Sequence, residues 1–492
     1  MKGFLADALR LGWALFYWNA RKSLHRLRGA HGRAPCHNPS DSGQAGCTGC
    51  DAVVGWRVPA RFRAVCPLLE RRTDGAWVCS VAAREVRPFW GRAWAWYGGG
   101  ALMMVLVGGL GVFATMRQIG YEVTLRQVFW PPAWQELRQV QAELFIKQAR
   151  EHFADGEVRE ALTALGTAHE MDPDNYAVGI MLAQFNRAGH PAAADRLFSQ
   201  LLAEHPERAV ETSRAWYLNL LARGQMEAAA ELAARRLEAE PEQAAAWTHA
   251  LVFTSRRLKD TTVLEPGARI EGPVGRILQL ERMLRQETDP ARRRQWLRDA
   301  PLPDAFPYAW VHRAERFIAA GFPEDALQLL QAARDRGVLG GRDLLPLVLA
   351  ARVRAGDAAG VARETAVLLE RGGTAELRVL ALHLVRHPDP GLLKRVLAGM
   401  ERAVATENAE GQSLGLDLYC AAGVAKDRNA MDRVRGKWPV SLSLERQAGI
   451  LPLEAFFIGN QRFESLRAIL PFVDPISMEL LYSLLDRYMQ ES

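Results

Sequence analysis

The chain has 492 residues, 49% of them hydrophobic and 24% charged, with six cysteines and a net charge of +6. These values exclude a disordered chain and a small disulfide-stapled domain, and the length suits roughly three or four domains or one long repeat array. The charge is uneven: residues 1–93 hold 15 Lys and Arg against 6 Asp and Glu, whereas residues 94–492 hold 47 against 50. A basic N-terminal part beside a membrane segment reads as attraction to anionic lipid or as topology control. The remainder has no basic stripe, so nucleic acid is not an expected partner.

Residues 1–29 open with a short apolar run, Leu11 to Trp18, preceded by Asp7 and Arg10 and followed by no A-x-A site. A cleaved secretory signal is therefore not expected. An interfacial amphipathic helix fits better. Trp13, Phe16, Tyr17 and Trp18 would enter the headgroup zone, and Arg21, Lys22, Arg26 and Arg28 would meet anionic lipid. The alternative is a helix packed on the module that follows.

In residues 30–93 lie Cys36, Cys47, Cys50, Cys66 and Cys79, with only Cys420 elsewhere. One dense cluster points to metal ligands in a reducing compartment rather than to a spread of disulfides. Cys47-Thr48-Gly49-Cys50 is a C-x2-C knuckle, which lets two thiolates reach one ion from a tight turn. Cys66 and Cys79 flank a turn signal at Thr73-Asp74-Gly75, with Phe62, Val65, Trp77 and Val78 suited to strands. Hairpin arms would bring these two thiolates to a tetrahedral site at about 2.3 Å per bond. The segment thus resembles a zinc ribbon, a small β module. The resemblance implies structural zinc on Cys47, Cys50, Cys66 and Cys79, which holds the fold without catalysing. The second pair is separated by 12 residues instead of the family's two, and Cys36 and His37 are alternate ligands. An iron–sulfur cluster on the same thiolates and a metal-free module stay open. A c-type haem is excluded because Asp51, not His, follows Cys50.

From Trp94 to Met116 run 23 uncharged residues, bracketed by Arg92 and Arg117 and flanked by Trp90, Trp94, Trp96, Tyr97, Tyr121, Phe129, Trp130 and Trp134. As a helix this crosses a bilayer core of about 30 Å, and such aromatics suit its interfaces. Gly100, Gly108, Gly111 and Thr115 share one face, which would let a second copy of the helix approach closely; a merely Gly-rich anchor is the alternative. The basic N-terminal side and the reduced state implied for the cysteines place the N-terminus in the cytoplasm and residues 117–492 outside it.

After Pro131-Pro132 the pattern is helical. A Gly is followed by Ala five residues on, an apolar or small residue four further, and Pro eight after that. The copies are Gly156–Ala161–Leu165–Pro173, Gly189–Ala194–Phe198–Pro206 and Gly224–Ala229–Ala233–Pro241. The Gly closes a first helix, the small Ala lets a second helix approach it, and the Pro ends the unit. With Phe145, Ala149 and Ala168, this spacing resembles the tetratricopeptide (TPR) repeat family across residues 139–255. The resemblance implies an α-α solenoid with a groove for a peptide or partner helix. The second repeat departs from the family at Gly179, where the first helix lacks its aromatic. Polar candidates on the first helices are Lys147, Arg150, Gln184, Asn186 and Asn219, with solvated surface as the plain alternative. Residues 256–304 interrupt the period and read as an irregular insert or degenerate repeat. Gly321–Ala326–Leu330, Gly356–Val361 and Gly459 continue it as diverged α-α repeats over 305–490.

Motifs for a phosphate-binding loop, a zinc protease and a serine hydrolase are absent from the sequence. His383 and His387, at i and i+4, could hold a metal, but a helix end before Pro388 accounts for His387; Cys420 reads as a small buried residue. The expected architecture is therefore mainly α: an α-α solenoid, one transmembrane helix and a small cysteine-rich β module. The expected function is a non-enzymatic scaffold at a bacterial-type inner membrane, recruiting a protein partner. A transmembrane regulator whose cysteine module senses or binds a ligand is the alternative. An enzyme with its site in residues 256–304 would need an acid–base cluster that the sequence does not show.

Overall fold

The computed structural model describes residues 98–489 apart from 156, 403–408, 438–443, 460 and 474–475, together with 13, 16, 20, 24, 27, 28, 69–71, 73, 75 and 77–79. The chain divides into two units, residues 1–140 and 141–492.

In the first unit, Trp13, Phe16, Leu24 and Leu27 are helical and exposed, with the Trp13 and Phe16 rings 6.0 Å apart. Strands β1 (Leu69–Arg71) and β2 (Trp77–Cys79) pair antiparallel around the Thr73–Gly75 turn. Leu69 stands opposite Cys79 in their register. Among the described residues, no group of three or more His, Cys, Asp or Glu is placed to hold a metal. The zinc-ribbon resemblance and the structural zinc are accordingly withdrawn. Cys36, His37, Cys47, Cys50 and Cys66 lie outside the described residues, and so does the side chain of Cys79.

Helix α1 (Gly99–Ile119) has the length and apolar composition to cross a membrane, and none of its residues is buried. It continues through Arg117 to Gly120, whose φ of 109° closes it in the left-handed region that favours glycine. Nothing lies within 4 Å of where a Cβ would sit on Gly100, Gly108 or Gly111, and Thr115 Oγ1 donates to the Gly111 carbonyl at 2.9 Å. The short helix α2 (Leu125–Phe129) lays the Phe129 ring against Gly109, a contact that any side chain there would block. Pro131 and Pro132 form one 3-10 turn, and α3 (Trp134–Ala154) follows.

The second unit is a mainly-α solenoid of paired helices. In order come α4 (Val158–Met171), α5 (Tyr176–Gly189), α6 (Pro191–Glu204), α7 (Ala209–Ala222), α8 (Met226–Ala239) and α9 (Ala244–Ser255). The Ala and apolar positions of the sequence repeat are the contact points: Ala161, Leu165, Ala194, Phe198, Ala229 and Ala233 are all buried. Gly179 marks the closest approach of α5 to α6, since a Cβ there would stand 2.7 Å from Leu201 Cδ2. Pro206 and Pro241 each start a 3-10 turn that leads into the next helix, where proline's missing N–H costs nothing. Gly224, at φ 68°, ends α7 with its N–H on the Leu221 carbonyl at 2.8 Å.

Residues 256–304 fold as α10 (Glu265–Ala268), α11 (Pro273–Gln286) and α12 (Pro290–Asp299). Beyond them lie α13 (Tyr308–Ala319), α14 (Pro323–Asp335), α15 (Gly341–Ala355), α16 (Ala358–Arg371), α17 (Thr374–Arg386) and α18 (Pro390–Arg402). The chain ends with α19 (Ala409–Val424), α20 (Arg428–Lys437), α21 (Leu444–Ile458), α22 (Phe463–Ile469) and α23 (Met478–Tyr488). Most of these pack mainly on near sequence neighbours, as stacked repeats do, but the C-terminal segment returns: the 3-10 turn Leu470–Phe472 lies against α5 and α7, and α23 against α17 and α7. Ser477 caps α23, its Oγ accepting from Leu480 N at 3.2 Å, and Leu480, Leu481, Leu484 and Leu485 are fully buried. Leu481→Ala is therefore expected to cost the solenoid about 2–5 kcal/mol, read as a lower urea midpoint of the full chain. An unchanged midpoint would show that α23 is not part of the core.

Candidate functional site

Among the described residues, several cavities open in the solenoid. The first, about 580 Å³, lies among α5, α6 and α7 and is lined by Gln184, Arg187, Arg208, Glu211, Arg214 and Asn219, with Ile476 contributing from the C-terminal segment. The polar groups around it are largely satisfied. Thr212 Oγ1 lies 3.1 Å from Tyr176 Oη, Trp216 Nε1 donates to Asp195 at 2.9 Å, and Arg223 pairs with the same carboxylate at 2.6 Å. Asn219 differs. It is 2% exposed, and neither its Oδ1 nor its Nδ2 has a partner among the described residues. An orphaned buried amide costs about 1–3 kcal/mol. Its acceptor and its donor together match the N–H and C=O of a peptide backbone.

The second cavity, about 700 Å³, is bounded by α9, α13, α15, α17 and α23. Phe253, Ile318, Leu345, Pro346, Val379 and Leu382 make it apolar on one side. Six arginines and four carboxylates line it, and α23 supplies two of those carboxylates. Glu479 is held by Arg342 and lies 3.9 Å from Arg378; Asp486 is held by Arg257 and lies 3.2 Å from Arg386. Glu479 and Asp486 are seven residues apart, two helical turns, so one face of α23 meets arginines from three different segments. Burial raises the Glu479 carboxyl, and its own backbone N–H and these arginines more than reverse that. Arg378 also donates to Asp417 at 2.9 Å; burial dominates there and lifts that carboxyl to about 7. Between the clamps, the Tyr482 ring lies 4.0 Å from Phe253 and its hydroxyl 3.3 Å from Tyr217 Oη.

His383 and His387 both line this second cavity, their rings 5.3 Å apart. Burial lowers His383 to about 4, with the charges of His387 and Arg386 adding to it. No metal-holding group forms around them among the described residues. Of the polar candidates on the first helices, Gln184 and Asn219 meet in the first cavity. Asn186 is occupied by the Leu182 carbonyl at 3.0 Å, and Lys147 and Arg150 are exposed on α3. Cys420, 1% exposed, is a buried thiol whose pKa burial raises well above the ordinary value. Sequence reasoning missed the Glu479 and Asp486 clamps. Leucines at 480, 481, 484 and 485 between two acids are a visible signal of an amphipathic helix, but their arginine partners lie as far as 229 residues away.

At the cavity wall a charge network centres on the fully buried Glu281, with Arg256 and Glu315 reaching the cavity. Glu281 accepts from His312 Nε2 at 2.9 Å and pairs with Arg256 at 3.3 Å and Arg316 at 3.5 Å; Arg256 also reaches Glu315 at 3.2 Å. Burial pushes the Glu281 carboxyl up, but Arg256, Arg316 and the His312 bond outweigh it and hold it well below the carboxylate range. Burial keeps His312 below its ordinary value of 6.5, against the pull of Glu281.

No protein-family model matches the chain, and no curated protein matches it. The TPR assignment is therefore withdrawn. Paired helices stacked on their neighbours are common to many α-α repeat folds and do not single out one family.

The buried network has a pH signature. A depressed Glu281 stabilises the fold above its unfolded value near 4.5, and that contribution is lost as pH falls below it. A native His312 held neutral adds a loss below 6.5, where the unfolded imidazole binds a proton. The Glu281 and His312 contributions shrink as pH falls from 7 to 4, while Asp417, raised to about 7, gains in the same range, so the difference between the wild type and Glu281→Gln isolates the Glu281 part. Glu281→Gln should cost about 3–5 kcal/mol at pH 7 by removing the carboxylate that faces Arg256 and Arg316, and should flatten the fall below 4.5. An equally steep fall in the variant would remove Glu281 from the account.

Proposed function

We propose that the protein is a membrane-tethered, non-enzymatic scaffold whose solenoid docks an extended segment of a protein partner in the cavity at Asn219. The observation that carries this reading is the unpartnered Asn219 amide, 2% exposed and lining a cavity. A peptide group laid across it would satisfy both of its polar atoms, and Arg214 and Gln184 on the same wall would flank the segment. Helix α1 supplies the tether. Holding the solenoid at one membrane raises the effective concentration of partners anchored in the same bilayer, so a modest peptide affinity suffices. The basic N-terminal flank favours a cytoplasmic N-terminus and an extracytoplasmic solenoid.

Peptide-display selection on the purified full chain in nanodiscs tests this. Enriched peptides should bind the wild type and lose about tenfold or more in affinity with Asn219→Leu, the magnitude of one or two lost buried hydrogen bonds. Selection without enrichment, or peptides that bind the variant equally well, would overturn the reading.

A further inference from the structure

The second cavity makes a different chemical demand, independent of the Asn219 reading. On its α17 wall, His383 is 8% exposed and its ring makes no hydrogen bond with the described residues. One turn on, Arg386 pairs with Asp486 through Nη2, while its Nε is buried without an acceptor. Two nitrogen sites, at i and i+3 on one helix, thus lack partners at the edge of a 700 Å³ space that also carries an excess of arginine over carboxylate. The lining also carries hydrocarbon, through Phe253 and Leu345 on other elements and Leu382 on α17 itself. Water alone would satisfy the nitrogens but leave this hydrocarbon wet, and a purely apolar guest would leave the nitrogens orphaned. The volume falls in the range of sites that enclose one small molecule.

We propose that this cavity binds an anionic amphiphile, its carboxylate or phosphate head held by Arg386 and His383 and its hydrocarbon chain laid along Phe253, Leu345 and Leu382. A charged acceptor on the guanidinium is the stronger kind of hydrogen bond, and the chain adds binding free energy with each methylene buried.

Calorimetric titration of the full chain in nanodiscs, with empty nanodiscs as reference, tests this using octanoate, octyl phosphate, octanol and octylammonium. Octanoate or octyl phosphate should bind at least about tenfold more tightly than octanol or octylammonium, and whichever of the two binds more tightly identifies the head. Acetate and inorganic phosphate, which lack the chain, should bind at least as much more weakly. Arg386→Gln should weaken the preferred anion about tenfold. Leu345→Trp, which fills the apolar end and leaves the head site untouched, should abolish binding of the eight-carbon anions. Urea midpoints of both variants establish that they are folded. The proposal is overturned if no probe binds, if octanol matches the anions, if the short anions match the long ones, or if both folded variants bind like the wild type.

Discussion

Two carboxylates on the last helix, Glu479 and Asp486, each lie between two arginines contributed by segments far away in the chain. A stack of helix pairs is quasi-one-dimensional, and each pair is stabilised only by its neighbours. Helix α23 breaks that rule by tying α7 and the end of α9 to α15 and α17. Its leucine face supplies the free energy through burial. The ion pairs supply direction more than stability, because desolvating charges offsets much of their attraction. Their spacing of two turns fixes which way α23 points and how far along the groove it slides. A displacement by one turn would move both half-exposed carboxylates away from these partners.

The same constraint shapes both cavities. Ile476, just before α23, lines the first, and α23 itself, from Glu479 to Asp486, lines the second. What remains open in each is the space that the C-terminal segment does not fill, and the two remnants differ in chemistry. One presents a neutral amide suited to a peptide backbone. The other presents guanidinium and imidazole nitrogens beside hydrocarbon. The C-terminal segment touches both, through Ile476 in the first and α23 in the second.

Much of the local structure was legible because it depends on short-range chemistry. Glycines 224, 321 and 356 stand at helix ends with positive φ, as their spacing implies, and the alanines of the repeat are the buried contacts. The membrane helix announces itself by length and absence of charge. Long-range features were hidden. Nothing in the sequence connects Arg257 to Asp486, or shows that Asn219 and not Asn186 is left without a partner, since that depends on whether a neighbouring carbonyl is in reach. The cysteine module failed for a related reason. Spacing alone does not assemble a metal site, and among the described residues no group of three or more metal-ligating side chains forms.

The central claim is that α23 closes the solenoid into one cooperative body. Native-state hydrogen exchange of the full chain, resolved by peptide, tests it most directly. If the account holds, amides of α23 exchange with the same opening free energy as those of α7, α9 and α17, and Glu479→Gln with Asp486→Asn lowers protection in all of them together. Fast exchange confined to α23, with the other helices unaffected by the double substitution, would contradict it.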